Sequence, residues 1–150
     1  MATNDAWLAG TIEATLDPKL PICDAHHHLW NFRADSVEEC YLLDDILRDT
    51  SSGHNIVSTV FIECGAMFKA DGPTSMRPIG ETEFANGVAA MSASGHYGNT
   101  RVAAAIVGTV DLTLGDAVPV VLEAQMAAGG GRFRGIRHAA TWHEDSRIPN

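Results

Sequence analysis

The 150-residue chain is short of cysteine, of positive charge and of long apolar runs. Its three cysteines, Cys23, Cys40 and Cys64, are odd in number and scattered, and none forms a CxxC pair. A reducing, cytoplasmic setting is the expectation. Cys23 and Cys64 fall in apolar strand contexts and are expected as small buried residues, whereas Cys40 lies in a loop. Ten Lys and Arg stand against 19 Asp and Glu, giving a net charge of -9. An acidic balance of this size argues against nucleic acid and against an anionic membrane as partners. No apolar run is long enough to span a bilayer. Residues 1–5 have neither a basic region nor an apolar stretch behind it, so no signal peptide is visible. No GxGxxG follows the first apolar segment, which weakens a dinucleotide-binding sheet. Internal repeats and low-complexity tracts are absent.

What is present is a chain 45% hydrophobic, enough for one domain with its own core. Its most informative stretch is Asp24-Ala25-His26-His27-His28-Leu29-Trp30, which follows the apolar run Leu20-Pro21-Ile22-Cys23. Residues 20–24 read as a strand. Side chains alternate along a strand, so His26 and His28 share one face and His27 takes the other. Two imidazoles on one face at a strand end are half of a site for a divalent metal, zinc above all. They are equally placed to polarise a carbonyl without metal. Asp24 lies two residues before His26 and is expected to support a histidine or the strand end.

Strand and helix patterns then alternate. Residues 41–49 pair Leu42 with Ile46 and Leu43 with Leu47, a helix with Asp44, Asp45 and Asp49 on its outer face. Residues 56–62 are β-branched and apolar, a strand buried on both faces. A long loop runs to about Pro78, with Met67 and Phe68 near its start. Residues 81–92 carry Phe84, Val88 and Met91 at helical spacing. Residues 101–107 form a third strand. Asp116 is expected to cap a helix with Val118, Val121, Leu122 and Met126 as its apolar face. Gly129-Gly130-Gly131 stops that helix, and residues 133–137 form a fourth strand. The order βαβαβαβ implies a parallel sheet. Periodicity alone does not separate an open doubly wound sheet from a (β/α)₈ barrel.

The Asp-x-His-x-His run followed by Leu29-Trp30, together with Arg134-Gly135-Ile136-Arg137-His138 on the fourth strand, resembles the amidohydrolase superfamily. Within it, the amidohydrolase-2 branch of sugar lactonases, dicarboxylate lactonases and zinc-dependent decarboxylases is the most similar. The resemblance spans roughly residues 20–140. It implies a TIM-type (β/α)₈ barrel with its site at the C-terminal ends of the strands. Such barrels take about 250 residues. The chain is therefore expected to be an N-terminal half, about four β/α units, of a longer protein or a truncated gene product. Residues 1–19 would be an extension and 141–150 an interrupted loop. The later metal ligands and the aspartate that acts as general base would lie elsewhere.

The resemblance further implies hydrolysis of a small cyclic ester or amide by activated water, with a carboxylated lactone as the favoured small-molecule substrate. His26 and His28 would hold a divalent metal or the reacting carbonyl. Arg137 would grip a substrate carboxylate in bidentate fashion. Glu63, at the end of the second strand, would orient substrate or form an ion pair with Arg137. The alternatives are a zinc-dependent non-oxidative decarboxylase of the same fold, and an inactive fragment or half-barrel acting only by association. Open apolar edges at the first and fourth strands would favour a homo-oligomer. His27 is expected to be structural and Asp111 a turn residue. His138 is the weaker candidate on the fourth strand, and Arg132 and Arg134 are expected on the surface. Trp30 and Phe32 are placed in the loop after the first strand, as pocket wall or core.

Overall fold

A computed structural model describes residues 9–32 and 39–148. Residues 1–8 of the expected extension and 149–150 of the tail lie outside the described residues. The elements are β1 (Pro21–His27), α1 (Leu43–Thr50), β2 (Asn55–Ile62), α2 (Ile79–Ala93), β3 (Arg101–Thr109), α3 (Val118–Ala128) and β4 (Phe133–Arg137). Short 3₁₀ turns, Thr74–Met76 and Leu112–Ala117, precede α2 and α3. All four strands are parallel and lie in the order β1-β2-β3-β4. Doubly wound sheets reverse their strand order. Here the order runs straight through, so consecutive crossovers stack the helices on one face. The architecture is α/β with a parallel sheet, compatible with half of a (β/α)₈ barrel.

The helix-covered face is closed by a contiguous core of Leu29, Leu43, Ile46, Phe61, Ala85, Val88, Ala89, Val102, Ala103 and Ile106. In α2 the buried stripe is Ala85, Val88, Ala89 and Ser92, at helical spacing. Met91, expected in that stripe, is instead 44% exposed. Small side chains let α2 approach β3 closely, and the larger methionine falls beside the contact. In α3 only Val121 and Gln125 are buried, and Met126 is exposed. That helix is held by a polar ladder. The Thr82 hydroxyl donates to Gln125 Oε1, and Gln125 Nε2 donates to the Thr109 carbonyl at 3.0 Å. Asp116 does not cap α3, whose N-terminus has no side-chain cap. Asp111 caps the preceding 3₁₀ turn through Thr113 N, so the turn aspartate is where it was expected.

All three strand pairings carry register shifts. Between Asp24 and His27, β1 takes three steps while β2 takes two, which is a β-bulge. In β3 the register shifts beside Ala103, whose φ is +50°. Ala103 N donates to the Thr59 hydroxyl at 2.9 Å, and Val102 N to the Ser92 hydroxyl at 2.9 Å. Two buried hydroxyls thus satisfy the donors that the irregular ladder leaves over. Gly80 opens α2 where a Cβ would stand 2.5 Å from the Met67 carbonyl oxygen. Only glycine lets the loop after β2 dock there.

Other expectations shift by local chemistry. The first helix starts at Leu43 because Tyr41 pairs with Trp30 in an isolated antiparallel bridge, both backbone bonds being 2.9 Å. Asp45 reaches back to accept from Leu42 N at 2.9 Å and fixes the start of α1. Strand β2 is buried only towards its C-terminal end, and Val57 is 40% exposed. Cys23 is exposed, not buried, because β1 is an edge strand; Cys64 is half-buried.

Candidate functional site at the strand ends

His26 and His28 meet. Their Nε2 atoms stand 3.2 Å apart, with the rings edge to face at a centroid distance of 4.8 Å. His28 Nδ1–H donates to the Ile62 carbonyl at 2.8 Å, at the end of β2. A carbonyl only accepts, so this bond fixes the proton on Nδ1 and leaves His28 Nε2 with a free lone pair. With both rings neutral, His26 Nε2–H donates to it. Asp24 Oδ1 accepts from His26 N at 3.1 Å. Asp24 therefore supports His26 through its backbone, at the β1 bulge, and not through the imidazole.

The pair has the spacing of two zinc ligands. Two nitrogens bound at about 2.0–2.1 Å to a tetrahedral zinc stand about 3.3 Å apart. The observed Nε2 separation fits two corners of such a site, and the Nδ1–carbonyl bond is the usual means of orienting a ligating histidine. No group of three metal-ligating side chains occurs among the described residues. The pair lines a cleft of about 650 Å³ along the outer edge of β1, with Asp24, Trp30, Tyr41, Ile46 and Asp49. Trp30 stacks on Tyr41 at a centroid distance of 5.2 Å and forms an aromatic wall. Phe32 is 89% exposed and belongs to no core.

Glu63 and Arg137 also meet. Arg137 Nε donates to Glu63 Oε1, and Nη2 to the Glu63 carbonyl, each at 2.6 Å. The guanidinium thus spans β3 to reach the end of β2. Glu63 borders a second cleft, of about 610 Å³, with Phe68, Thr74, Arg77, Thr109, Asp111 and His138. His138, the weaker candidate, faces this second cleft and accepts from Leu112 N at 3.3 Å through Nδ1. Arg134 is exposed as expected, whereas Arg132 is half-buried with Nη1 on Asn86 Oδ1.

The four leading candidates therefore form two pairs, not one cluster. Strand β2 touches both, through the Ile62 carbonyl on one side and Glu63 on the other. The cleft beside the histidine pair and the cleft beside Glu63 have no lining residue in common. Three strand spacings, about 14 Å, separate β1 from β4.

Two further groups matter. His27 is 8% exposed, edge-on to Phe61 at 5.8 Å, and burial pushes its imidazole down to about 4. Neither of its ring nitrogens has a hydrogen-bond partner of ordinary geometry. It is structural, as its face of β1 implies. Glu81 is the residue that sequence reasoning missed. It is 1% exposed, and its Oε1 accepts from Cys64 N at 2.9 Å and Ala66 N at 2.8 Å. Burial pushes its carboxyl up, and those two backbone donors pull the other way. Glu81 pins the loop immediately after Glu63. A glutamate in the first turn of a helix ordinarily serves its own helix, so nothing in the pattern marked this one as reaching the loop.

Comparison of the chain with protein-family models, curated proteins and solved structures gives no match.

Proposed function

We propose that this chain supplies the N-terminal half of an amidohydrolase-type (β/α)₈ barrel that hydrolyses a small cyclic ester or amide, a carboxylated lactone being the favoured substrate. The observation that carries the reading is the convergence of His26 and His28 Nε2 to 3.2 Å at the C-terminal end of β1. Catalytic groups gather at that end of parallel strands. The straight strand order and one-sided helix layer are the second support.

A divalent ion bound there would polarise the carbonyl and acidify water. The chain's own residues do the rest. His28 is held in one tautomer by the Ile62 carbonyl, so its Nε2 carries a lone pair, which His26 Nε2–H occupies until an ion takes its place. His26 Nε2 stands beside it. Arg137 keeps Nη1 uncommitted while Glu63 fixes the plane of the guanidinium. That arrangement suits a substrate carboxylate. Water adds to the ring carbonyl, the carbonyl–heteroatom bond breaks, and the leaving heteroatom takes a proton.

Titration with zinc or manganese, paired with a lactone-opening assay, tests this. Wild-type chain should bind the ion, and His26→Ala or His28→Ala should weaken binding tenfold or more. A wild-type protein that binds no ion and opens no lactone overturns the reading. Release of carbon dioxide from an aromatic acid, in place of ring opening, would move the assignment to a decarboxylase.

A further inference from the structure

The two open edges of the sheet carry opposite charge. The cleft along β1 is lined by Asp24 and Asp49 and by no lysine or arginine. At the other edge, Arg137 is paired with Glu63 and Arg132 is half-buried on Asn86, which leaves Arg134 as the exposed cation of β4. Arg134 is exposed and donates only to the Gly131 and Phe133 carbonyls. We propose that two copies of this chain associate through these edges, β4 of each beside β1 of the other, closing an eight-stranded parallel barrel with a site at each seam. The proposal rests on the half-barrel reading above.

Geometry permits it. A twofold axis parallel to the strands leaves every strand direction unchanged, so the new β4–β1 pairs are parallel like the rest. The contact occurs twice and closes, where a contact of another rotation would run on into a fibre. Both exposed edges disappear, which removes the rows of unpaired backbone donors and acceptors. The sheet face opposite the helices becomes the barrel interior. Phe61 and Ile106 lie in the helix-side core, so alternation puts Val60, Ala105 and Val107 on that opposite face. All three are only half-buried in one copy.

The surfaces beside the edges also match. The β1 cleft is apolar at Ile22, Ile46 and Ile56. Beyond β4 the chain carries Trp142, 77% exposed, and Ile148, 45% exposed. Pairing β4 with β1 of the second copy brings that segment alongside the cleft. The largest consequence is at the site. Within one copy the histidines and Arg137 are three strands apart. Across the seam they stand on adjacent strands, about 4.8 Å apart in spacing. Arg137 and His138 of one copy then share a strand-end mouth with the partner's His26 and the partner's His28.

Sedimentation of the full chain over a range of concentrations reads the outcome. A mass of two 16.0 kDa chains is expected. Arg134→Glu should raise the monomer–dimer midpoint tenfold or more while leaving the circular dichroism unchanged. Salt should weaken the wild-type dimer in the same direction. Amide exchange should show β1 and β4 gaining protection together as the dimer forms. A monomer at every concentration overturns the proposal, as does an open ladder of larger species. So does a dimer indifferent to Arg134→Glu with β1 amides unprotected. The hydrolase reading is judged separately by ion binding. A monomer that binds zinc through His26 and His28 ends the dimer alone. A seam-protected dimer that binds no ion and opens no lactone ends the hydrolase alone.

Discussion

The β3–α2–α3 region and the β1 edge treat polar side chains in opposite ways. Behind β3, Thr59, Thr82, Ser92 and Gln125 are buried, and each is hydrogen-bonded. Their partners lie up to 44 residues away in the chain, so each bond forms only when the layers dock. At the β1 edge, His26 is exposed and bonded mainly to another histidine, while neither ring nitrogen of the buried His27 has a hydrogen bond of ordinary geometry. A satisfied buried group has no capacity left for a ligand. A converging, accessible pair has a lone pair to offer. The comparison separates polar groups that hold the fold from those that are free to act.

The sharpest way to break that contrast is Gln125→Leu. It leaves the Thr82 hydroxyl and the Thr109 carbonyl buried without partners, and should cost about 4 kcal/mol, two such penalties together. Urea unfolding measures it. A loss under about 1 kcal/mol would mean the ladder is not structural.

His27 gives the next largest effect, and it depends on pH. The folded-state value, about 4, lies below the ordinary 6.5. Between those values the unfolded chain binds a proton that the folded chain refuses. Stability therefore falls as pH drops from 6.5 to about 4, by about 3 kcal/mol. His27→Leu should abolish that part of the acid sensitivity and be neutral or stabilising at pH 7.5. Unfolding midpoints of both proteins across the range check it.

His28→Ala loses the bond to Ile62 and should cost about 1 kcal/mol without metal, whereas His26→Ala should stay within about 0.5 kcal/mol. Ion binding should fall in both. Arg137→Ala should cost about 1 kcal/mol in stability, since the arginine side chain is 43% exposed and solvent screens the pair on that side, although Glu63 is only 14% exposed. Its weight should fall on the Michaelis constant for carboxylated substrates. A stability loss larger than that of Gln125→Leu would place Arg137 among the structural groups.

Much of the fold was legible from pattern. Apolar and β-branched runs and i, i+4 apolar pairs located the four strands and three helices of the described residues, because those periodicities reflect burial on one or two faces. Two groups were not legible. Glu81 and Gln125 are polar residues at helical positions where a sequence expects solvent. Each is buried because a backbone donor or acceptor from a distant loop or strand meets it. The Cys23 expectation failed for a related reason: apolar context does not say whether a strand has neighbours on both sides.

At the site, the motif alone determined that His26 and His28 share a face and that His27 turns to the core, because alternation is a property of the extended backbone. Sequence also supplied the arginine and the glutamate as candidate partners. Tertiary structure alone decided the rest. Strand order put β1 and β4 at opposite edges, and parallel pairing set the Ile62 carbonyl against His28 and Glu63 against Arg137. Those contacts join residues 34 and 74 positions apart. Such distances are settled by how layers pack, since no local rule reaches that far along the chain.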